Sequence, residues 1–594
     1  MNAATDSQYV VIARDLVCVF PGVSKKMAET RALDGLTLSI RSGELTALVG
    51  PDGAGKTTFQ RLIAGLYAPT SGSLTVLDTD VVTDPQSVQN RISYMPQRFG
   101  LYEDLSVQEN LDLYADLHGV AQQERASRFE RLLSITDLAR FTDRPAGKLS
   151  GGMKQKLGLA CTLVRSPDLL LLDEPSVGVD PLSRRDLWKI IEQLVQDENL
   201  SVIISTAYMD EAERCAQVYV MDQGKILASG TPEELRKKAE GRTWQVIPSE
   251  GMKSRTLQAH LLEKRDTIAD AVPKGDAVRF ICQSPDDQTT PAEVNATPRD
   301  AELEDGFMLL LHQAQHKNND PASTAPVKPE MVSSREEHYD EKPVIIVKDL
   351  VRQFGDFTAV ASTSFDVKRG EIFGLLGPNG AGKTTTFRML CGLLPATSGQ
   401  LEVAGLNLRT ARAKARARIG YVSQKFALYS NLSVKENLTF FGGAYGLSGE
   451  KLTQQIESSL NQFGLNPDAI SGELPSGFKQ RLSMAVALLH EPEIVFLDEP
   501  TSGIDPLARR LFWYTIGELA NKGITIIVTT HFMEEAEYCD RIAIQDAGKM
   551  LALGTPKEVR QMAGLDHTTD MNTAFIAIVE NARAKAKSKE LSHA

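Results

Sequence analysis

The segment Gly370–Thr385, GEIFGLLGPNGAGKTT, decides the fold, and a close copy, GELTALVGPDGAGKTT, occupies Gly43–Thr58. In each copy a short apolar stretch runs into a glycine-rich loop that ends in lysine and threonines. Glycines let backbone N–H groups turn inward on a phosphate, and the N-terminus of the following helix adds partial positive charge. Two such loops predict two phosphate-binding sites. The predicted binding residues are Gly50, Gly53, Gly55, Lys56, Thr57 and Thr58, and Gly377, Gly380, Gly382, Lys383, Thr384 and Thr385.

The repetition extends well beyond the glycine loops. YMPQRFGLYEDLSVQENL begins at Tyr94 and recurs as YVSQKFALYSNLSVKENL from Tyr421, while LLDEPSVGVDPLSRR recurs as FLDEPTSGIDPLARR. The spacing between matching residues is nearly constant, which indicates duplication of a whole domain. Apolar strands alternate with helical patterns in each copy, so we predict two α/β domains with mostly parallel sheets, at 8–240 and 343–564. Amphipathic segments after each glutamine motif predict a helical subdomain in each.

The remaining segments have different patterns. TWQVIP and AVRFICQ resemble strands and RDAELEDGFMLLLHQA a helix, so we predict a small accessory α/β unit over 241–314. Residues 315–342 are polar and contain proline, which is typical of a flexible linker. At 565–594 we expect a C-terminal helix and tail, with MNTAFIAIVENA as the counterpart of AELEDGFMLLL.

Composition narrows the class of protein. The 594 residues are 42% hydrophobic and 24% charged with a net charge of −12, which gives no electrostatic reason to expect nucleic acid. The six cysteines form no CxxC pair, so we expect no disulfide partner and a reducing cytoplasm. The first residues do not resemble a secretory signal, and no stretch approaches the ~20 apolar residues of a membrane helix. A membrane path would therefore need other chains.

Carboxylates follow two of the apolar strands. Asp173 and Asp498 end these strands, where an unpaired charge is costly, so a metal ion or a hydrogen-bond donor is expected beside them. The next residues, Glu174 and Glu499, can polarise an attacking water as general base. A solvated pair of strand-end acids is the alternative, which the neighbouring phosphate loop disfavours. The predicted Mg²⁺ ligands are Thr57, Thr384, Asp173 and Asp498, with Gln97 and Gln424 added below.

LSGGMKQKLGLA at Leu149–Ala160 is the most specific segment. Together with the two loops it resembles the ATP-binding cassette (ABC) family of P-loop NTPases, and in particular the ATPase subunits of ABC-2 type exporters. In that family two cassettes enclose two ATP molecules, and the signature of one cassette covers the phosphate loop of the other. The resemblance implies ATP and Mg²⁺, two ABC-2 type transmembrane permease subunits, room for a periplasmic adaptor, and a position on the cytoplasmic face of the inner membrane.

The resemblance also implies roles for single residues. Ser150, Gly151 and Gly152 would contact nucleotide. Gln97 and Gln424 match the glutamine loop that senses Mg²⁺, and His531 matches the switch histidine, which makes it catalytic together with both glutamates. Phe20 and Phe354 match an aromatic that stacks on adenine. Each has a simpler alternative, because a phenylalanine in a strand can be core, a loop glutamine can be solvated and a histidine can be structural.

Two positions depart from the family pattern. The second signature reads Leu474–Phe478, LPSGF, so Pro475 replaces the serine and two possible phosphate donors are lost. The alternative is that proline simply makes a good first residue of the next helix. Ala207 occupies the histidine position of the first cassette. Both departures would fall on one composite site, so we hypothesise that Lys383, with the intact LSGGM, belongs to the faster site.

Other functions stay open at this stage. Phe99, Tyr102, Phe426 and Tyr429 could grip a permease helix or could pack within the helical subdomain. Soluble ABC proteins that act on ribosomes or DNA also fuse two cassettes, but their linkers are basic and helical. The segment HFMEEAE, which follows the apolar stretch ITIIVTT, favours transport. A scaffold that never hydrolyses ATP is disfavoured by the intact second site. The sequence does not name the cargo.

Overall fold

The computed structural model describes residues 8–21, 29–97, 100–264, 266–287, 289–318, 342–566 and 569–593. The chain divides into two compact units. The first contains Met1–Gly241 and Asp300–Asn318, and the second contains Arg242–Arg299 and Asn319–Ala594. Of the linker predicted at 315–342, residues 319–341 lie outside the described residues, as does the groove residue Phe99, and residues 315–318 belong to a helix.

The first cassette has two sheets. Its strands are β1 Tyr9–Phe20, β2 Thr30–Arg41, β3 Leu45–Val49, β4 Ser71–Val76, β5 Thr79–Asp80, β6 Ile92–Met95, β7 Leu169–Asp173, β8 Ser201–Thr206, β9 Gln217–Asp222 and β10 Lys225–Gly230. Strands β2-β1-β4-β5 form an antiparallel sheet, and β10-β9-β3-β8-β7-β6 form the central sheet. The central sheet is parallel except for the β9–β10 pair, as the alternating pattern predicted. One apolar core joins the two sheets to the first helix.

Helices cover the central sheet and build the helical subdomain. They are α1 Lys56–Ile63, α2 Pro85–Gln89, α3 Val107–Leu117, α4 Gln122–Ile135, α5 Gly151–Leu163, α6 Pro181–Glu198, α7 Met209–Ala212 and α8 Pro232–Lys237. Helix α3 starts at a capping box in which Ser106 and Glu109 satisfy each other's backbone N–H groups. Helix α6 starts at Asp180, whose carboxylate accepts from Ser183 N at 3.1 Å.

The accessory region differs from the prediction. A four-stranded antiparallel sheet with two short helices covers 243–298, and we call it the accessory subdomain. Its elements are β11 Thr243–Val246, α9 Ser254–Glu263, β12 Ile268–Lys274, β13 Ala277–Cys282, α10 Thr289–Glu293 and β14 Thr297–Pro298. It belongs to the second unit, although it follows the first cassette in sequence. The predicted boundary at 314 was wrong, because the next helix, α11 Leu303–Asn318, packs on α7, α8 and β10 of the first unit.

The second cassette repeats the first. Its strands are β15 Ile345–Phe354, β16 Phe357–Val367, β17 Ile372–Leu376, β18 Ser398–Val403, β19 Leu406–Asn407, β20 Ile419–Val422, β21 Ile494–Asp498, β22 Thr525–Thr530, β23 Arg541–Asp546 and β24 Lys549–Gly554. Its helices are α12 Lys383–Leu390, α13 Arg412–Arg416, α14 Val434–Ala444, α15 Gly449–Phe463, α16 Ser476–Leu488, α17 Pro506–Asn521, α18 Pro556–Met562 and α19 Met571–His593. The sheet orders are β16-β15-β18-β19 and β20-β21-β22-β17-β23-β24.

The C-terminal helix has the same place on its cassette as α11 has on the first. Helix α19 packs against α18 and β24, as α11 packs against α8 and β10. This matches the counterpart relation predicted from the two apolar segments. Among the residues that the structure describes, no helix has the length and apolar character needed to span a bilayer.

Candidate nucleotide sites

The phosphate loops connect the central strand of each sheet to a helix. Gly55 and Gly382 precede α1 and α12 with φ of +100° and +99°, a region that favours glycine. A Cβ at Gly382 would lie 2.4 Å from the backbone oxygen of Ala359. These glycines are therefore required by both the backbone angle and the close approach of a neighbouring strand.

The loop lysines lie across their own loops. Lys56 Nζ donates to the carbonyl oxygens of Gly50 and Pro51 at 2.7 and 3.0 Å. Lys383 Nζ makes the same bonds to Gly377 at 2.6 Å and Pro378 at 3.0 Å. Both side chains are buried, so each ammonium is held at the loop that would enclose the phosphates.

The strand-end aspartates lie beside hydroxyl groups. Thr57 Oγ1 donates to Asp173 Oδ1 at 3.1 Å, and Ser205 Oγ donates to the same oxygen at 2.6 Å. In the second cassette Thr529 Oγ1 donates to Asp498 Oδ1 at 2.6 Å. Hydroxyl and carboxylate oxygens are ligands that Mg²⁺ prefers, so the pair Thr57 and Asp173 fits that ion.

Burial raises the pKa of two groups beside the strand ends. It raises the pKa of Asp498, with a further rise from the charge of Glu499, although the hydroxyl of Thr529 opposes the change. Burial, followed by the charge of Asp173, raises the pKa of Tyr94 to about 12, and its hydroxyl donates to Asp173 Oδ2 at 3.2 Å. Tyr94 therefore stays protonated as a donor at neutral pH.

The two candidate general bases have left-handed backbones. Glu174 and Glu499 have φ of +48° and +45°, and their backbone N–H groups donate to Ser205 Oγ and Thr529 Oγ1 at 3.0 Å each. This conformation is uncommon for glutamate and persists where surrounding bonds fix it. Sequence reasoning missed Ser205 and Thr529. Their only signal is that a hydroxyl residue recurs at the end of the third strand pair, SVIIST and ITIIVTT.

The predicted glutamines reach the glutamates. Gln97 Nε2 donates to Glu174 Oε2, and Gln424 Nε2 donates to Glu499 Oε2, both at 2.6 Å. The structure thus brings together the predicted glutamine and glutamate of each cassette. Both glutamines are also exposed, so they contact the glutamates from a solvated loop.

His531 is a chemical difference between the second cassette and the first. It follows β22, is 3% exposed, and places Nδ1 3.2 Å from Glu499 Oε2. Burial alone would raise the pKa of Glu499, but His531, Lys383 and Gln424 outweigh it and the pKa is lowered. At the same position after β8 the first cassette has Ala207, which provides a methyl group in place of the imidazole.

The signature segments also differ. Ser150 precedes α5 and its hydroxyl accepts from Met153 N at 3.3 Å, and a Cβ at Gly152 would lie 2.2 Å from Ser183 Oγ. In the second cassette α16 begins at Ser476, so the helix-start explanation for Pro475 was wrong by one position. Pro475 is the N-cap residue, where it offers no side-chain acceptor.

The predicted adenine platforms have unequal surroundings. Phe20 is half-buried, packs on the core and meets Tyr67 edge-on with ring centroids 5.4 Å apart. Phe354 is 45% exposed and lies under the Arg352 guanidinium at 4.4 Å. In the groove segments Tyr102 and Tyr429 are exposed, and the Phe426 ring lies 6.0 Å from Lys479 Nζ.

Known proteins resemble the chain over nearly its full length. The family described as ABC transporter matches residues 33–177 and 360–502. The Escherichia coli (strain K12) protein named "Probable multidrug ABC transporter ATP-binding protein YbhF" is 48% identical over 573 residues, covering 95% of this chain and 96% of that protein.

Partial matches include one curated protein and one solved structure. The Bacillus subtilis (strain 168) "Linearmycin resistance ATP-binding protein LnrL" is 40% identical, covering 39% of this chain and 78% of that protein. A structure described as "Structure of ATP binding subunit of ABC transporter" has 29% identity and a TM-score of 0.34, covering 38% of this chain and 92% of its own. With its two phosphate loops, paired strand-end carboxylates and near-complete match to a curated relative, the chain belongs to the ABC transporter family as an ATPase with two tandem ATP-binding cassettes.

Proposed function

We propose that this chain is the ATP-hydrolysing motor of an ABC-2 type exporter in the drug, lipid or ion efflux class. The names of two relatives support export of drugs, since one is called a multidrug transporter protein and the other a linearmycin resistance protein. The proposal that the chain hydrolyses ATP rests on one observation, the contact of Glu499 with both Gln424 and His531.

The second cassette supplies a complete set of groups for phosphoryl transfer to water. Lys383 and the loop N–H groups bind the β- and γ-phosphates, and Thr384 with Asp498 would hold Mg²⁺, which neutralises charge on those oxygens when bound. The lowered pKa of Glu499 keeps its carboxylate ionised at neutral pH, so it can accept a proton from the attacking water. His531 and Gln424 orient that carboxylate.

We also propose that the two nucleotide sites turn over at different rates. Site one combines Lys56, Asp173 and Glu174 with the LPSGF signature and lacks the histidine, because Ala207 replaces it. Site two combines the second cassette's groups with the intact LSGGM signature. Glu174 is retained and contacts Gln97, which supports ATP binding with slow hydrolysis at site one rather than complete loss.

Substitution of each general base tests this asymmetry. We expect Glu499→Gln to lower the ATPase rate of the full chain by ~10²–10⁴-fold, because a general base contributes about that much. The matched variant Glu174→Gln should retain most of the activity. Steady-state phosphate release measures both, and equal losses from the two variants would refute the asymmetry.

The transport role needs membrane partners. We propose that two permease subunits bind the helical subdomains on the cytoplasmic face of the inner membrane, where a periplasmic adaptor could complete the path. Co-purification of the chain with a polytopic membrane protein is the expected result. Sedimentation with ribosomes, and absence of such a protein, would favour the soluble translation-factor alternative instead.

A further inference from the structure

The accessory subdomain contacts the segment that follows the switch histidine. Residues Met533–Tyr538 form a 3-10 helix just after His531, and β12 packs against it. Helix α9 packs against α17 of the same cassette. Both contacts lie within the second unit.

Arg255 is a buried charged residue of this docking surface. It is 8% exposed, and its Nε donates to Asn521 Oδ1 at 3.0 Å while Nη2 donates to the Gly370 carbonyl at 2.9 Å. Its Nη1 also pairs with Asp540 Oδ2. The same carboxylate oxygen accepts from Ile372 N at 2.9 Å, so the accessory arginine and the central strand β17 share one anchor.

Two further contacts hold the 3-10 helix itself. Arg510 bridges the two parts, with Nε 3.4 Å from Asp270 of β12 and Nη1 donating to the Tyr538 hydroxyl at 2.9 Å. Glu537 accepts from the backbone N–H of Gly275 at 3.0 Å. Removing one partner of such a buried polar contact leaves the other partner unsatisfied, which is costly. These contacts therefore hold the 3-10 helix in a fixed position against the accessory subdomain.

Part of the set of residues that hold the accessory subdomain is specific to the second cassette. Arg510 and Glu537 have identical counterparts in the first cassette, Arg185 and Glu213. Asp540 and Asn521, which bind Arg255, are replaced there by Ala216 and Gln196. By contrast, the near end of the segment is anchored alike in both. Thr530 Oγ1 donates to Glu535 at 2.6 Å, as Thr206 Oγ1 donates to Glu211 at 2.6 Å. The contacts of Arg255 with Asp540 and Asn521 therefore occur on the cassette that has the histidine.

We propose that the accessory subdomain is a positioning element of the second nucleotide site, which holds the turn after β22 so that His531 stays in contact with Glu499. The inference rests on the catalytic role proposed for His531. Because Nδ1 of His531 lies 3.2 Å from Glu499, a displacement of ~1 Å would break the contact and can cost up to ~10²-fold in rate.

The ends of the subdomain make it removable. Its first and last strands, β11 and β14, pair with each other, Arg299 N donates to the Thr243 carbonyl at 3.1 Å, and Thr243 Oγ1 donates to the Arg299 carbonyl at 2.7 Å. Residues 244–298 can therefore be replaced by two glycines without stretching the chain.

The test compares Arg255→Ala and the excision with a control in the same subdomain. Lys264→Ala removes the Lys264–Glu293 ion pair, which is exposed and within the accessory subdomain. We expect both undocking variants to lower kcat of the full chain about tenfold with little change in KM for ATP, and the control to behave as the parent. Hydrogen exchange of the amides in α9 reports whether Arg255→Ala has released the contact.

A background variant separates positioning from general damage. In His531→Ala chains, Arg255→Ala should cause no further loss, since both changes act through one group. An equal tenfold loss in that background, or unchanged kcat when exchange shows release or after the excision, would overturn the proposal. If His531→Ala and Glu499→Gln themselves kept full activity, the proposed function would fail instead, which is a separate outcome.

Discussion

The two cassettes have the same backbone plan but differ in a few side chains around the reacting centre. Both hold a glutamate with left-handed φ, fixed by a hydroxyl and reached by a glutamine at 2.6 Å. Only the second adds an imidazole, at His531, while the first has Ala207. The backbone that binds ATP can therefore be duplicated intact while the side chains around the reacting centre diverge, because different residues encode the backbone geometry and the side-chain chemistry.

The histidine exchange should have the largest effect on this comparison. We expect His531→Ala to lower the ATPase rate ~10²-fold, because it removes the group that contacts and orients the Glu499 carboxylate. The reciprocal Ala207→His should change the rate of the parent chain little, since the proposed site one would keep the LPSGF signature.

Phosphate release measured on the two single variants and their combination decides the matter. If Ala207→His restored activity to the His531→Ala chain, the signature segment would be irrelevant to the asymmetry. The comparison would then reduce to the histidine alone.

Substitution of the glycines that precede α1 and α12 distinguishes a loss of stability from a loss of ATPase activity. Gly55→Ala and Gly382→Ala should each destabilise their own cassette by ~1–3 kcal/mol, because φ near +100° is strained for alanine and a Cβ would clash with a backbone oxygen. Only Gly382→Ala should abolish most ATPase activity. Gly53→Ala and Gly380→Ala separate the two causes, since both glycines also have a left-handed φ of +81° but an added Cβ at either meets nothing within 4 Å, so only the backbone strain should remain.

Thermal unfolding and phosphate release on the same four variants check this. Equal ATPase losses from Gly55→Ala and Gly382→Ala would mean that hydrolysis needs both loops to the same degree. That result would weaken the case for unequal sites.

Local patterns predicted the parts of the site that depend on nearby residues. The glycine loops and the strand-end carboxylates are recognisable because their spacing and residue types are required by phosphate and metal chemistry, whereas the glutamines were predicted from the family resemblance. Ser205 and Thr529 were missed because a hydroxyl residue in a buried strand resembles any other β-branched or small strand residue.

The docking of the accessory subdomain was missed for a different reason. Arg255 and Asp540 are distant in sequence, and neither belongs to a periodic pattern. The same limit explains the wrong boundary at 314, since the amphipathic pattern of α11 shows that a face is buried but not on which domain.

The smallest effect should come from the signature caps, and it tests why the two signatures differ. Ser150 caps α5 through Met153 N at 3.3 Å, whereas Pro475 caps nothing with its side chain at the start of α16. Ser150→Ala should therefore destabilise the first cassette by ~1 kcal/mol, and Pro475→Ser should stabilise the second by up to that amount, as N-cap exchanges usually do. Differential scanning calorimetry of the full chain checks both.

If Pro475→Ser instead lowered stability, the fixed φ of proline would be the stronger influence on this turn, and the proline would be explained by local folding rather than by loss of a phosphate donor. Because the proline lies outside the helix and gives up no helical N–H, we expect the serine to gain the cap without a compensating loss.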